Sequence, residues 1–348
     1  MTLTAHLKKS SILLFLLIFS GCAQWGYYAQ SVRGQLDLWR REAPIGDVIN
    51  EATTAPELKE KLALTLRIRE FASRELALPQ NNSYRRYADL QRPFVVWNVF
   101  AAPEFSTKPV QWCFVMAGCV SYRGYFSQSD AQAFAAEAAK AGHDVHVGGV
   151  PAYSTLGWFA DPVLNTFVHY PPVELARILF HELAHQVVYL KDDTVFNESF
   201  AVVVEREGLR RWLAAHGSEA DRETQARMQR YRADFVALIQ AQRVKLDALY
   251  AEGGAPDTLR EAKRQAFIDM RAAYDQLKAQ WGGYAGYDRW FELAPNNALL
   301  ASVNLYTQRV PAFEALLKAH DHDLPRFYAA VKNLARLDRA ARDAALAL

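Results

Sequence analysis

From Pro171 to its end the sequence offers almost nothing but helix, and that half of the chain limits what the other half can be. Residues 219–252 and 257–281 repeat apolar residues at helical spacing. Between them stands "EGGAPD", a glycine pair that stops one helix and a proline that restarts the next. Shorter helical segments are expected at 296–307, 311–320 and 324–346. Upstream, "PFVVWNVF" (93–100), "VQWCFVMA" (110–117) and "DVHVGGVPAYS" (144–154) are β-branched, aromatic and bounded by turn residues, as strands are. Helices are expected near 128–141 and from about Glu57 to Leu76. The predicted fold is α+β, a small mixed sheet followed by a mostly helical body.

No composition shift or flexible run separates parts of the chain, so residues 23–348 read as a single catalytic domain. Within it the sheet region spans 93–170, a helical pair 171–216, a long helical hairpin 219–281 and the C-terminal helices 282–348. With 51% hydrophobic residues among 348, the chain can bury a large core, and its net charge of +2 with scattered basic residues argues against nucleic acid as a partner.

The first 22 residues read as an export signal. Lys8 and Lys9 precede the apolar run Ile12–Phe19, too short to span a bilayer. "FSGC" (Phe19 to Cys22) resembles the lipobox of bacterial lipoproteins, which implies cleavage before Cys22 and acylation of that cysteine. A lipid anchor would then be the only membrane attachment, with the protein in the periplasm on the outer membrane. A plain signal peptide with an incidental cysteine is the alternative. Cys113 and Cys119 remain, and in an oxidising compartment they can form a short-loop disulfide or stay as two buried thiols.

The chemistry is concentrated in "HELAHQVVYLKDDTVFNESFAVVVE", His181 to Glu205. Pro171-Pro172 opens a helix whose apolar stripe is Leu175, Ile178, Leu179, Leu183 and Val187. His181 and His185 are four apart and share a face, so both can reach one ion. Glu182 projects beside that ion, where a general base for an activated water belongs. A third protein ligand is needed, with one position left for water. "LKDD" is expected to break the helix near Leu190, and Thr194 to cap the next. His185 then lies about 7.5 Å before the break and Glu198 about 6 Å beyond the restart, so an antiparallel pair of helices brings Glu198 to the histidines. Glu205, seven residues on, shares its face and can support a ligand histidine.

"HELAHQ" followed by "NESFAVVVE" resembles the gluzincin aminopeptidases of the aminopeptidase-N type: Asn197, Glu198, Phe200, Ala201 and Glu205 match, and Ser199 replaces a glycine. Val188 and Lys191 exclude the metzincin pattern, and Val202 the thermolysin one. The connection between His185 and Glu198 is shorter than in the aminopeptidase-N type, as in a distant relative. A wider resemblance, through "GYYAQSVRGQ", "GCVSYRGYF", "GGVPAYSTLGWFADPVL", "WGGYAGYD", "NNALLASV" and "VPAFEALL", is to a bacterial lipoprotein family described as zinc-dependent aminopeptidases. It implies a zincin-like fold, Zn²⁺ held by His181, His185 and Glu198, Glu182 as general base, and a peptide substrate, with Asn197 and Glu205 supporting the ligands from behind.

Such enzymes add a hydrogen-bond donor for the oxyanion. Tyr306 is the favoured candidate, ahead of Tyr284 and Tyr287. The 148–159 stretch is expected either to pair with substrate backbone or to be a core strand. His143, His146 and His169 read as structural, and Asp161, Asp192 and Asp193 are the available acids for a free α-amino group. Two other functions stay open: an endopeptidase, and a non-enzymatic envelope lipoprotein with a structural metal. The oligomeric state is not legible.

Overall fold

The computed structural model describes residues 26–114, 118–304 and 308–346. A first helix, α1 (26–41), leads through strand β1 (Glu42–Pro44) into α2 (Ile45–Asn50) and the long α3 (Pro56–Glu75). The sheet region holds β2 (Arg86–Ala88), β3 (Val96–Pro103), β4 (Trp112–Phe114), β5 (Gly118–Val120), β6 (Arg123–Tyr125), helix α4 (Gln128–Lys140), β7 (His143–Val150) and β8 (Val163–Leu164). The helical body follows as α5 (Pro172–His185), α6 (Thr194–His216), α7 (Glu219–Glu252), α8 (Pro256–Gln280), α9 (Asp288–Glu292), α10 (Asn297–Asn304), α11 (Val310–Ala319), α12 (Leu324–Ala335) and α13 (Arg339–Ala345). The fold class is α+β.

The strands form three small sheets. One runs β6-β3-β7, antiparallel throughout, with Trp97 opposite Gly149 and Val99 opposite Val147. A second runs β1-β2-β8, antiparallel then parallel, and β4 and β5 form a separate pair. Strand β3 is the centrepiece because both its faces are covered. Trp97 and Val99 pack against Ala131 and Ala135 of α4, while Phe100 and Ala102 pack against Ala298 of α10. It runs three residues further than the expected 93–100, since Ala101 and Ala102 are small enough to continue pairing beneath the helices.

The main core joins α3, α5, α6, α11 and α12, with Phe196, Phe200, Phe313 and Phe327 among its buried side chains. Gly208 lets α6 approach closely, because a Cβ there would lie 2.7 Å from the Phe180 ring and 2.8 Å from Leu76. The α7–α8 hairpin has its own aromatic cluster around Phe235, Tyr274, Trp281 and Phe291. Its turn sits where "EGGAPD" predicts, with Gly253 at φ 70° and Pro256 as the first residue of α8.

Three local expectations fail. The helix α5 ends at His185, not Leu190, because Gln186 is drawn out of line: it accepts a hydrogen bond from Asn81 at 2.7 Å and donates to Ser83 and Asp161. Asp193 rather than Thr194 caps α6, its carboxylate accepting the Phe196 N–H at 3.1 Å while binding Arg342 at 3.0 Å. The segment expected as one helix over 324–346 is two, since Asp338 caps a fresh start at α13.

Candidate metal centre

Helix α5 carries a polar stripe at a spacing of four: Arg177, His181 and His185, continued past the helix end by Tyr189. All four line one cavity of about 710 Å³. His181 and His185 stand with ring centroids 5.0 Å apart. From α6, Glu198 Oε2 comes to 3.2 Å from His181 Nε2 and 3.7 Å from His185 Nε2. One ligand atom from each of the three residues lies within 4.8 Å of the others, and all three residues are buried.

Behind His181, Glu205 Oε2 sits 3.0 Å from Nδ1. Arg177 and Arg232 approach the same carboxylate at 3.4 and 3.5 Å, which balances a buried charge. Burial alone would raise the Glu205 pKa, but His181 and the two arginines outweigh it and hold it at about 2. Burial also opposes protonation of His181; the hydrogen bonds to Glu198 and Glu205 win and push that ring up to about 10. His185 has no such pair of acids, and burial lowers it to about 4, a neutral imidazole. Its Nδ1 has no hydrogen-bond partner among the described residues. Glu198 is held below its usual value because both histidines outweigh its burial.

These residues could hold a metal ion. Glu205 engages His181 through Nδ1, which turns Nε2 toward Glu198 and the neutral His185. Two imidazole nitrogens and one carboxylate are a common catalytic zinc set.

The loop between the two helices is held from several sides. Asn197 accepts the Leu190 N–H at 2.7 Å and donates to the Leu190 carbonyl at 2.8 Å, so the residue before Glu198 fixes the turn that brings Glu198 back. Asp192 accepts the Cys119 N–H at 2.6 Å, tying the loop to the β4–β5 pair. Gly118 permits this: its φ is 75°, and a Cβ there would meet Asp192 Oδ1 at 2.3 Å. Cys113 and Cys119 are joined in a disulfide.

Glu182 also lines the cavity. Burial is the main cause that raises its carboxyl to about 7, with Glu198 and Asp161 adding to it and His181 opposing. Two tyrosines that sequence reasoning did not single out face the same space. Tyr122 is held far above the ordinary phenol range by burial and then by Glu198, and Tyr189 is raised by the same two causes. The spacing from His185 to Tyr189 could have flagged the second; nothing in the sequence marks Tyr122.

The other candidates stand elsewhere. Tyr306 lies outside the described residues. Tyr284 and Tyr287 belong to the hairpin's aromatic cluster. Asp161 is occupied by Thr155, Ser154 and Gln186, Asp192 by Cys119 and Asp193 by its cap and Arg342; none lines the cavity. His146 stacks on Phe100, His143 Nδ1 meets the Ala138 carbonyl, and His169 approaches Glu57 at 4.0 Å, all apart from the site.

A family model described as "Putative aminopeptidase" matches residues 26–346. No curated protein and no solved structure matches the chain. Since the family match spans nearly all of the sequence, the chain belongs to this aminopeptidase family.

Proposed function

We propose that this chain is a zinc-dependent aminopeptidase of the cell envelope with a zincin-like catalytic core. The observation that carries the reading is the meeting of His181, His185 and Glu198 in one cavity with Glu182 beside them. Zinc in that set would supply a Lewis acid for the scissile carbonyl and lower the pKa of a water to about 7.

The chain's own groups do the rest. Glu182, poised near neutrality, takes a proton during attack and returns it to the departing amine. Tyr122 and Tyr189 keep their phenolic protons at all relevant pH and can donate to the oxygen on which charge develops. Glu205 holds the His181 tautomer, and Arg177 and Arg232 keep Glu205 ionised. The stretch from Val150 to Ser154 runs along the cavity beyond the last pairing of β7 with β3, which supports a role in seating substrate backbone. The "FSGC" stretch supports anchoring through Cys22.

An endopeptidase is the second reading, and one observation favours it. Among the described cavity residues, the carboxylates are Glu182, Glu198 and Glu205, each already engaged in the site, so no spare acid awaits an α-ammonium group.

The test is to offer free and N-acetylated peptides and follow products by mass spectrometry, alongside Glu182→Gln with its metal content measured. Stepwise loss from free N-termini alone, abolished in a variant that still holds zinc, is the expected result. Internal cuts indifferent to acetylation would assign an endopeptidase. Full activity in Glu182→Gln would overturn the mechanism.

A further inference from the structure

Helix α1 has two unlike sides. At 100° per residue, Tyr27, Ser31, Gly34 and Leu38 fall on one side, and this side faces the protein: Tyr27 and Ser31 line the catalytic cavity, Gly34 abuts Phe126 and Leu38 is in the core. Tyr28, Val32, Leu36 and Trp39 fall within an arc of about 80° on the other side, and all four are exposed, Val32 by 58%. The stripe continues off the helix. Trp39 meets Phe159 edge-on with ring centroids 4.8 Å apart, and Phe159 and its neighbour Trp158 are exposed by 50% and 69%. Ten large hydrophobic side chains are exposed among the described residues, and these are six of them.

Scattered exposed apolar residues need no explanation, but a contiguous aromatic and aliphatic patch does. Its flank is basic. Arg33 and Arg40 follow the stripe on the helical wheel, both are exposed, and neither makes an ion pair among the described residues. Asp37, the one acid of the helix, is paired with Arg41 at 3.0 Å. What covers the patch is suggested by the chain that leads into it. Lys8 and Lys9, the apolar run Ile12–Phe19 and Cys22 immediately precede it, and Cys22 is four residues from Gly26, at most about 14 Å of extended chain. The lipid attachment that "FSGC" implies at Cys22 is therefore adjacent to the stripe.

We infer that the exposed face of α1, with Trp158 and Phe159, docks on a phospholipid surface bearing anionic headgroups. The aromatic rings and aliphatic side chains enter the headgroup region while Arg33 and Arg40 meet lipid phosphates. A lipid on Cys22 tethers the chain without setting its orientation, and a contact of this kind sets one. That orientation matters for the site. The two segments that form the patch, α1 and the 154–159 loop, also supply Tyr28, Ser154 and Leu156 to the cavity lining. The cavity rim therefore rests at the bilayer, and the substrates within reach are polypeptide segments at the membrane surface.

The experiment uses the full chain, purified from membranes and reconstituted in phosphatidylethanolamine–phosphatidylglycerol vesicles with or without brominated acyl chains near the headgroup. Tryptophan emission is compared among wild type, Trp39→Leu/Trp158→Leu and Val32→Asp/Leu36→Asp, with Ile268→Asp as an exposed control on α8. Bromine should quench wild type and Ile268→Asp alike. The quenching should fall at least twofold in both double variants, whose melting transitions show that they remain folded. Quenching that is absent in wild type, or unchanged in the double variants, would overturn docking through this face. Cross-linking between copies through position 36, without quenching, would assign the stripe to a second copy instead. None of these readouts requires peptidase activity, so failure of the enzymatic reading leaves the result interpretable.

Discussion

Glu205 Oε2 and His181 Nδ1 stand 3.0 Å apart, on the side of the imidazole opposite Glu198. This contact joins two residues 24 positions apart and fixes which nitrogen of His181 faces the cavity. Replacing Glu205 with alanine removes the orienting acceptor, takes the carboxylate from Arg232 and leaves Arg177 with Glu174 alone. Zinc affinity should fall about 10- to 100-fold, measured by competition with a chromogenic chelator. A variant that binds zinc as tightly as wild type would show that His181 is oriented by something else.

Asn197 spans the turn between the ligand helices with a donor and an acceptor on the same residue, Leu190. Asn197→Ala leaves the Leu190 N–H without its acceptor and the Leu190 carbonyl with only the Asp193 N–H at 3.4 Å. The expected cost is about 2–4 kcal/mol, seen as a lower denaturation midpoint, together with weaker metal retention because Glu198 is the next residue. An unchanged midpoint would mean that water replaces the side chain without penalty.

Asp161 gives a dependence on pH. Burial, acting against the hydrogen bonds from Thr155, Ser154 and Gln186, raises its folded pKa to about 6. The unfolded value is about 3.9. The folded state therefore holds the proton more tightly, so its contribution to stability is fully present below about pH 4 and is lost as pH rises through about 6. Relative to Asp161→Asn, wild type should lose about 2 kcal/mol between pH 4 and 7. Denaturation of both proteins at the two pH values checks this, and a pH-independent difference would contradict it.

The Cys113–Cys119 disulfide closes a short loop, and its reduction should cost about 2 kcal/mol through chain entropy. The Cys119 N–H ties that loop to Asp192, so reduction should also loosen the turn that carries Glu198. Thermal melting with and without reductant, against a Cys113→Ser/Cys119→Ser chain insensitive to reductant, separates this from other effects of the reagent.

The helical half was legible because its signals are local. The glycine pair at 253 and 254, Pro256 and the apolar periodicity define α7 and α8 to within a residue at each end. That His181 and His185 share a face was legible for the same reason: a spacing of four on a helix fixes it. What failed depends on partners distant in sequence. The early end of α5 comes from Asn81, Ser83 and Asp161 capturing Gln186, and the Asp193 cap is supported by Arg342. Tyr122 reaches the site only because β6 returns beside β3, a pairing that no local pattern predicts. The expected first helix is five residues too long, yet Glu198 still meets the histidines. The convergence arises because the tightly held loop reverses the chain in fewer helical residues than assumed.

The hairpin of α7 and α8 bears on how this chain could be re-engineered. Its aromatic cluster invites treatment as a cassette to be shortened or exchanged. Yet Arg232 of α7 neutralises Glu205, Asp247 accepts from Thr107, and Lys263 of α8 binds Asp144. A trimmed chain would keep its candidate metal ligands in sequence while an acid that is 2% exposed lost one of its two guanidinium partners. Modularity stops at Arg232, and any graft that ignores it inherits an electrostatic debt at the metal.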